Sequence, residues 1–180
     1  MPPSQFSSGD PIADRRVDYA RMLCEVGDMA AAVELVEQAL ELVPYWGAGW
    51  FRLGDYRERN AIVEGAIDAY RQALRFDPED VFGARLKLAL FGAAEVPDQP
   101  PSRYVESLFD EYAEGFDEAL VEKLDYTVPG KLAHMVSARA PFELAVDLGC
   151  GTGLLGAEIR HVAERLEGFD LSANMLAKAK

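Results

Sequence analysis

The chain has 180 residues, 49% hydrophobic and 27% charged, with 18 Lys+Arg against 31 Asp+Glu and a net charge of −13. Such acidity argues against partners that need a basic face, nucleic acid and anionic membrane surfaces among them, and the apolar share excludes a wholly disordered chain. Cys24 and Cys150 form neither a disulfide framework nor a metal motif, no apolar run approaches the ~18 residues of a membrane span, and MPPSQFSSGDP has no apolar h-region, so the expectation is a soluble cytoplasmic protein without a metal.

Residues 1–12 are rich in Pro, Ser and Gly and are expected to form a disordered tail. From 13 to 92 the pattern is helical and repeats at an offset of 34, which aligns Pro44 with Pro78. Ala39 then falls on Ala73, Val36 on Tyr70, Ala32 on Ala66, Ala20 on Gly54 and Tyr19 on Leu53. Small residues recur where helices must touch closely, larger apolar ones where they interlock, and each repeat ends near a proline. A period of 34 with this pattern is the tetratricopeptide (TPR) signature. Val81 to Phe91 is expected as a capping helix, because it begins like a third repeat and lacks a second helix. Residues 93–102, with three prolines between Val96 and Ser102, read as a linker.

Residues 103–142 are expected as a helical cap segment. Ser102 opens a helix that runs to about Leu124, with Val105, Leu108, Phe109, Tyr112, Phe116, Ala119, Leu120 and Leu124 on one side. The other side carries Glu106, Asp110, Glu111, Glu114, Asp117, Glu118 and Glu122, which read as a solvated acidic face. Gly115 is expected to break or bend the helix, and Thr127 with Pro129 starts another from Val128 to Ala138. Over 143–180 the period changes. LAVDL reads as a buried-type strand, GCGTG as a turn and LLGAEIRHVAERL as an amphipathic helix. LEGFD follows as a second strand, and SANMLAKA as a helix capped by Ser172. This is a β-α-β unit with parallel neighbouring strands.

The chemistry centres on Val146-Asp147-Leu148-Gly149-Cys150-Gly151-Thr152-Gly153. Glycines let the chain turn sharply from strand to helix and bring backbone N–H groups close to a ligand. Asp170 lies 21 residues after Gly149 at the end of the next strand, where a carboxylate can reach the two hydroxyls of a ribose. The pair of strand ends therefore reads as a nucleoside crevice. Gly151 to Gly156 satisfies the dinucleotide spacing G-x-G-x-x-G. Asp147 distinguishes the alternatives: a carboxylate aimed into the crevice repels a pyrophosphate and attracts an ammonium group. S-adenosylmethionine carries an α-amino group and a sulfonium and has no phosphate.

Asp147 to Gly153, then Gly168-Phe169-Asp170-Leu171-Ser172, then Met175-Leu176, resemble motifs I and II of class I S-adenosylmethionine-dependent methyltransferases. With the repeats and FDEYAEGFDEALVEKLDYTVPGKL ahead of it, the chain resembles a bacterial family of TPR-containing predicted methyltransferases from about Ala13 onward. The FDEYA…FD segment is similar to that of small-molecule methyltransferases. The resemblance implies a TPR-like all-α repeat followed by the N-terminal part of an α/β Rossmann-like methyltransferase domain. It implies that Asp147 holds the methionine amino group directly or through water. The loop Leu148, Gly149, Cys150, Gly151 and Gly153 would pass beside the methionine part, and Asp170 would bind the ribose. Leu171 and Met175 would line the adenine. Tyr104, Tyr112 and Phe116 would come from the covering helix, where an aromatic face beside the sulfonium contributes ~0.5–2 kcal/mol; core packing is the plainer role for these rings.

Cys150 reads as a small turn residue, and His134 and His161 as ordinary helical residues. First-helix positions Val17, Arg21, Glu25, Phe51, Asp55 and Arg59 would line a generic protein-contact groove. Such methyltransferases have about seven strands and only two are visible here, so the sequence is expected to be an N-terminal piece of a longer protein with its catalytic residues elsewhere. Three functions follow: methylation of a small molecule, a TPR-type interaction module with a non-catalytic Rossmann remnant, and an NAD-type dinucleotide-binding oxidoreductase.

Overall fold

Asp10 starts the first helix, α1 (Pro11–Glu25), by accepting hydrogen bonds on its carboxylate from the N–H groups of Ile12 and Ala13. Such caps contribute about 1 kcal/mol. Ser7 and Ser8 in turn donate to the Asp14 carboxylate. The computed structural model of the chain describes residues 6–179. Within that range residues 6–12 are not the expected tail, because Asp10 satisfies orphan donors of the helix end and the Ser7 and Ser8 hydroxyls bind Asp14; residues 1–5 lie outside the described range.

The chain divides into two units, Met1–Tyr104 and Val105–Lys180. The first continues with α2 (Met29–Leu42), α3 (Gly47–Arg59), α4 (Val63–Phe76) and α5 (Ala84–Leu90). Each of these helices packs on the next. Helices α2 and α4 are 14 residues each and begin 34 residues apart. The aligned pairs Ala32 and Ala66, Val36 and Tyr70, and Ala39 and Ala73 are all buried. One pair does not correspond: Leu53 is 1% exposed and Tyr19 is 58% exposed. At Gly54 a Cβ would come within 2.6 Å of the Tyr70 ring, so α3 and α4 meet where no side chain fits. The Tyr70 hydroxyl donates to Glu58 at 2.6 Å, and Lys87 pairs with the same carboxylate at 3.0 Å. Burial, then Glu58, push the Tyr70 phenol far above its ordinary value. Helix α5 begins later than Val81 because Gly83 is left-handed (φ 77°) and the buried Asp80 carboxylate accepts from the N–H groups of Ala84 and Arg85.

The second unit holds most of α6 (Ser102–Tyr112), a π-helical segment (Glu118–Lys123) and α7 (Val128–Ser137). The turn between α6 and the π-helical segment contains Gly115. Then come β1 (Phe142–Leu148), α8 (Leu154–Ile159), a 3-10 turn (Arg160–Val162), β2 (Ala163–Phe169) and α9 (Ala173–Lys178). The strands are parallel, with Phe142 opposite Ala163 and Leu148 opposite Phe169. Helix α8 is shorter than LLGAEIRHVAERL predicts. Ala163 to Leu166 have good helix propensity, but pairing with β1 takes them into the sheet. Ala133, Ile159 and Val162 form the centre of this unit's core, with Phe142, Ala145 and Leu166 packed against them. Leu144, Val146 and Leu148 are exposed. The described chain is thus mostly helical with one small two-stranded parallel sheet. No described helix is long and apolar enough to cross a membrane.

Candidate functional site

The turn after β1 takes its shape from three glycines with positive φ, Gly149 (78°), Gly151 (54°) and Gly153 (86°), values that L side chains rarely adopt. The N–H groups of Gly149 and Cys150 donate to the carbonyl of Phe169, at 2.7 and 3.0 Å, which joins the turn to the end of β2. Just beyond that point Asp170 accepts from two backbone groups: Gly151 N–H at 2.9 Å on one oxygen and Ser172 N–H at 2.9 Å on the other. An ionised carboxylate has about four acceptor sites. Asp170 is therefore held rigidly by the two loops and retains capacity for two further donors.

A cavity of about 640 Å³ opens beside it, within the range typical of small-ligand sites. The strand ends give it Leu148, Gly149, Gly151, Asp170, Leu171 and Met175. Val105, Phe109, Phe116 and Phe169 give it an apolar wall. No lining residue is basic. Phe109 and Phe116 meet edge to face at 6.2 Å, and Phe116 lies 3.6 Å from where a Cβ would stand at Gly151. A second cavity, about 440 Å³, is lined by Asp147, Cys150, Gly153, Arg160, Leu166 and Leu176, among others.

The expected site residues therefore divide. Leu148, Gly149, Gly151, Asp170, Leu171 and Met175 come together in the first cavity. Asp147, Cys150 and Gly153 line the second, which corrects the expectation that Asp147 points into the crevice with Asp170. Alternation along a strand sends neighbouring side chains to opposite faces, so with Leu148 in the first cavity, Asp147 takes the other side. Its carboxyl is pushed up, first by burial and then by the nearby charge of Asp170. Burial and the same two carboxylates raise the Cys150 thiol, which is the reverse of what a nucleophilic thiolate needs.

Two tyrosines expected over the site are elsewhere. The Tyr104 ring packs on Gly83 in the first unit, 2.8 Å from a Cβ position there. Tyr112 is 57% exposed and does not line the cavity. Phe116, also expected, does line it. Val105 and Phe109 were missed as site residues, although their i, i+4 spacing on the apolar side of α6 was the available signal. Of the groove positions in the first unit, Val17 and Arg21 line a cavity of about 340 Å³ with Phe6, Trp46 and Arg52. Phe51 instead packs on Tyr70 and Phe82.

No family model, curated protein or solved structure matches the chain.

Proposed function

We propose that the second unit binds S-adenosylmethionine and belongs to a methyltransferase acting on a small molecule, and that the helical first unit is a TPR-type module for contact with a protein partner. The observation that carries the reading is Asp170, fixed by Gly151 and Ser172 at the mouth of an apolar cavity with no basic lining. A ribose diol supplies the two donors that this carboxylate can still accept. The purine has Leu171 and Met175 beside it, and Phe109 and Phe116 offer ring surface to an apolar or cationic group. Bound there, S-adenosylmethionine supplies a methyl group for in-line displacement, for which orientation of the acceptor is the main requirement.

A dinucleotide fits less well. Its pyrophosphate would lie against the glycine turn, in a cavity with no cation among the lining side chains to balance its charge. Isothermal titration with S-adenosylhomocysteine and with NAD tests the reading. S-adenosylhomocysteine is expected to bind, and Asp170→Asn to weaken it at least about tenfold, as for the loss of hydrogen bonds to a charged group. Binding of NAD alone, or binding indifferent to Asp170→Asn, rejects it.

A further inference from the structure

The segment that forms the aromatic wall is tied to both loops of the site by two carboxylates. Asp117, at the start of the π-helical segment, accepts from the Thr152 hydroxyl at 2.5 Å. Thr152 belongs to the glycine turn and is buried. Asp110, near the end of α6, accepts from the Ser172 hydroxyl at 2.5 Å and from the Asn174 N–H at 3.2 Å. The Asn174 side chain donates back to the Asp110 carbonyl at 3.2 Å. Ser172 is fully buried and also caps α9 through the Met175 N–H. The strap from Val105 to Lys123 is therefore fastened to the loop after β1 through Thr152 and to the loop after β2 through Ser172, with a more exposed ion pair from Glu114 to Lys178 of α9 at 3.2 Å.

The cavity rings sit next to these ties: Phe109 precedes Asp110, and Phe116 precedes Asp117. Between the ties lies the turn with Gly115, which separates α6 from the π-helical segment. Hydrogen bonds from a hydroxyl to an ionised carboxylate are about twice as strong as neutral ones. Their partners are hydroxyls on the same loops that orient Gly151 and Asp170. We propose that Asp110 and Asp117 are positioning residues that latch the aromatic strap over the cavity, so that ligand enters and leaves by release of the Asp117–Thr152 and Asp110–Ser172 ties. The identity of the ligand rests on the reading above; the latch itself does not.

The test compares the wild-type chain with Asp117→Ala, Asp110→Ala, Thr152→Val and the conservative Thr152→Ser. In hydrogen exchange without ligand, amides of 105–117 are expected to exchange at least about tenfold faster in the first three variants and as wild type in Thr152→Ser. Stopped-flow measurement of S-adenosylhomocysteine is expected to show dissociation accelerated by about tenfold in the same three. Thr152→Val combined with Asp117→Ala should add nothing to either alone, because both break one tie. Unchanged exchange overturns the latch, and so does faster exchange with unchanged ligand dissociation. If the wild-type chain fails to bind S-adenosylhomocysteine, the cofactor reading falls. The latch is then decided by uptake of the apolar dye ANS, expected to rise in the three variants and to overturn the proposal if it does not. A variant whose far-UV circular dichroism shows misfolding is replaced by Asp117→Asn or Asp110→Asn, whose amide oxygen keeps an uncharged and weaker tie, so that faster exchange and dissociation of smaller size are expected and no change overturns the latch.

Discussion

Asp147 and Asp170 end neighbouring strands, yet their surroundings differ. Asp170 is held by two N–H donors. The Asp147 side chain makes no hydrogen bond or ion pair among the described residues, and its carboxyl is raised by burial and by Asp170. A carboxyl whose folded value lies above its unfolded one favours folding while protonated. That contribution is complete below the unfolded value, 3.8, and is lost as pH rises through the folded value. Ionised Asp147 is thus a cost to the folded unit at neutral pH. Asp147→Asn is expected to raise the melting temperature at pH 7, with the gain shrinking toward pH 4. The same substitution removes a negative charge near the site. S-adenosylmethionine carries a sulfonium charge that S-adenosylhomocysteine lacks, so the affinity of the former should fall roughly threefold more than that of the latter, as for a partly screened charge pair. Equal losses for both ligands would show that Asp147 does not act through the sulfonium charge.

At the scale of elements, the repeat was legible because the helix contacts demand particular residue sizes. Gly54 faces the Tyr70 ring, and Ala32, Ala39, Ala66 and Ala73 are buried in helix faces. Gly54→Ala tests this directly. Alanine improves helix propensity by about 1 kcal/mol, but its Cβ would stand 2.6 Å from a ring that is fully buried and tied to Glu58. Overpacking costs about 1–3 kcal/mol, so the expected net outcome is a lower denaturation midpoint; a higher one would mean that α3 and α4 part without loss. The glycine turn and Asp170 were legible for a similar reason, since positive φ and a strand-end carboxylate leave marks in the sequence. What was not legible depended on tertiary context. Tyr104, Leu108 and Tyr112 follow one line along α6, while Val105 and Phe109 follow another about 100° away. Only the packing reveals that the second line faces the cavity. Likewise, Ala163 to Leu166 could extend a helix, and only their register with Phe142 to Ala145 makes them a strand. Asp110 and Asp117 read as solvated charges because their partners, Ser172 and Thr152, are distant in sequence.

Across the whole molecule, charge and core are unevenly distributed. Arg103 to Asp125 carries eight carboxylates against two basic side chains, nearly half of the net −13. This segment includes the strap, where Glu118 pairs with Lys123 and Glu114 with Lys178. The second unit's buried apolar cluster centres on Ala133, Ile159 and Val162. The first unit buries larger groups, among them Tyr56, Tyr70, Leu53, Trp46 and Val36, across two clusters. Burying one such side chain contributes about 1.5–3 kcal/mol, so the second unit should unfold first. The tryptophans offer a clean reporter, because the chain's two, Trp46 and Trp50, both lie in the first unit. Far-UV circular dichroism follows the helices of both units. On heating, the dichroism change is expected to begin several degrees below the tryptophan fluorescence change, since non-coincident probes mark departure from a two-state transition. S-adenosylhomocysteine stabilises only the state that binds it, so it should raise the early dichroic phase and leave the fluorescence midpoint in place. Coincident transitions, shifted together by the ligand, would instead mean that the two units unfold as one cooperative body.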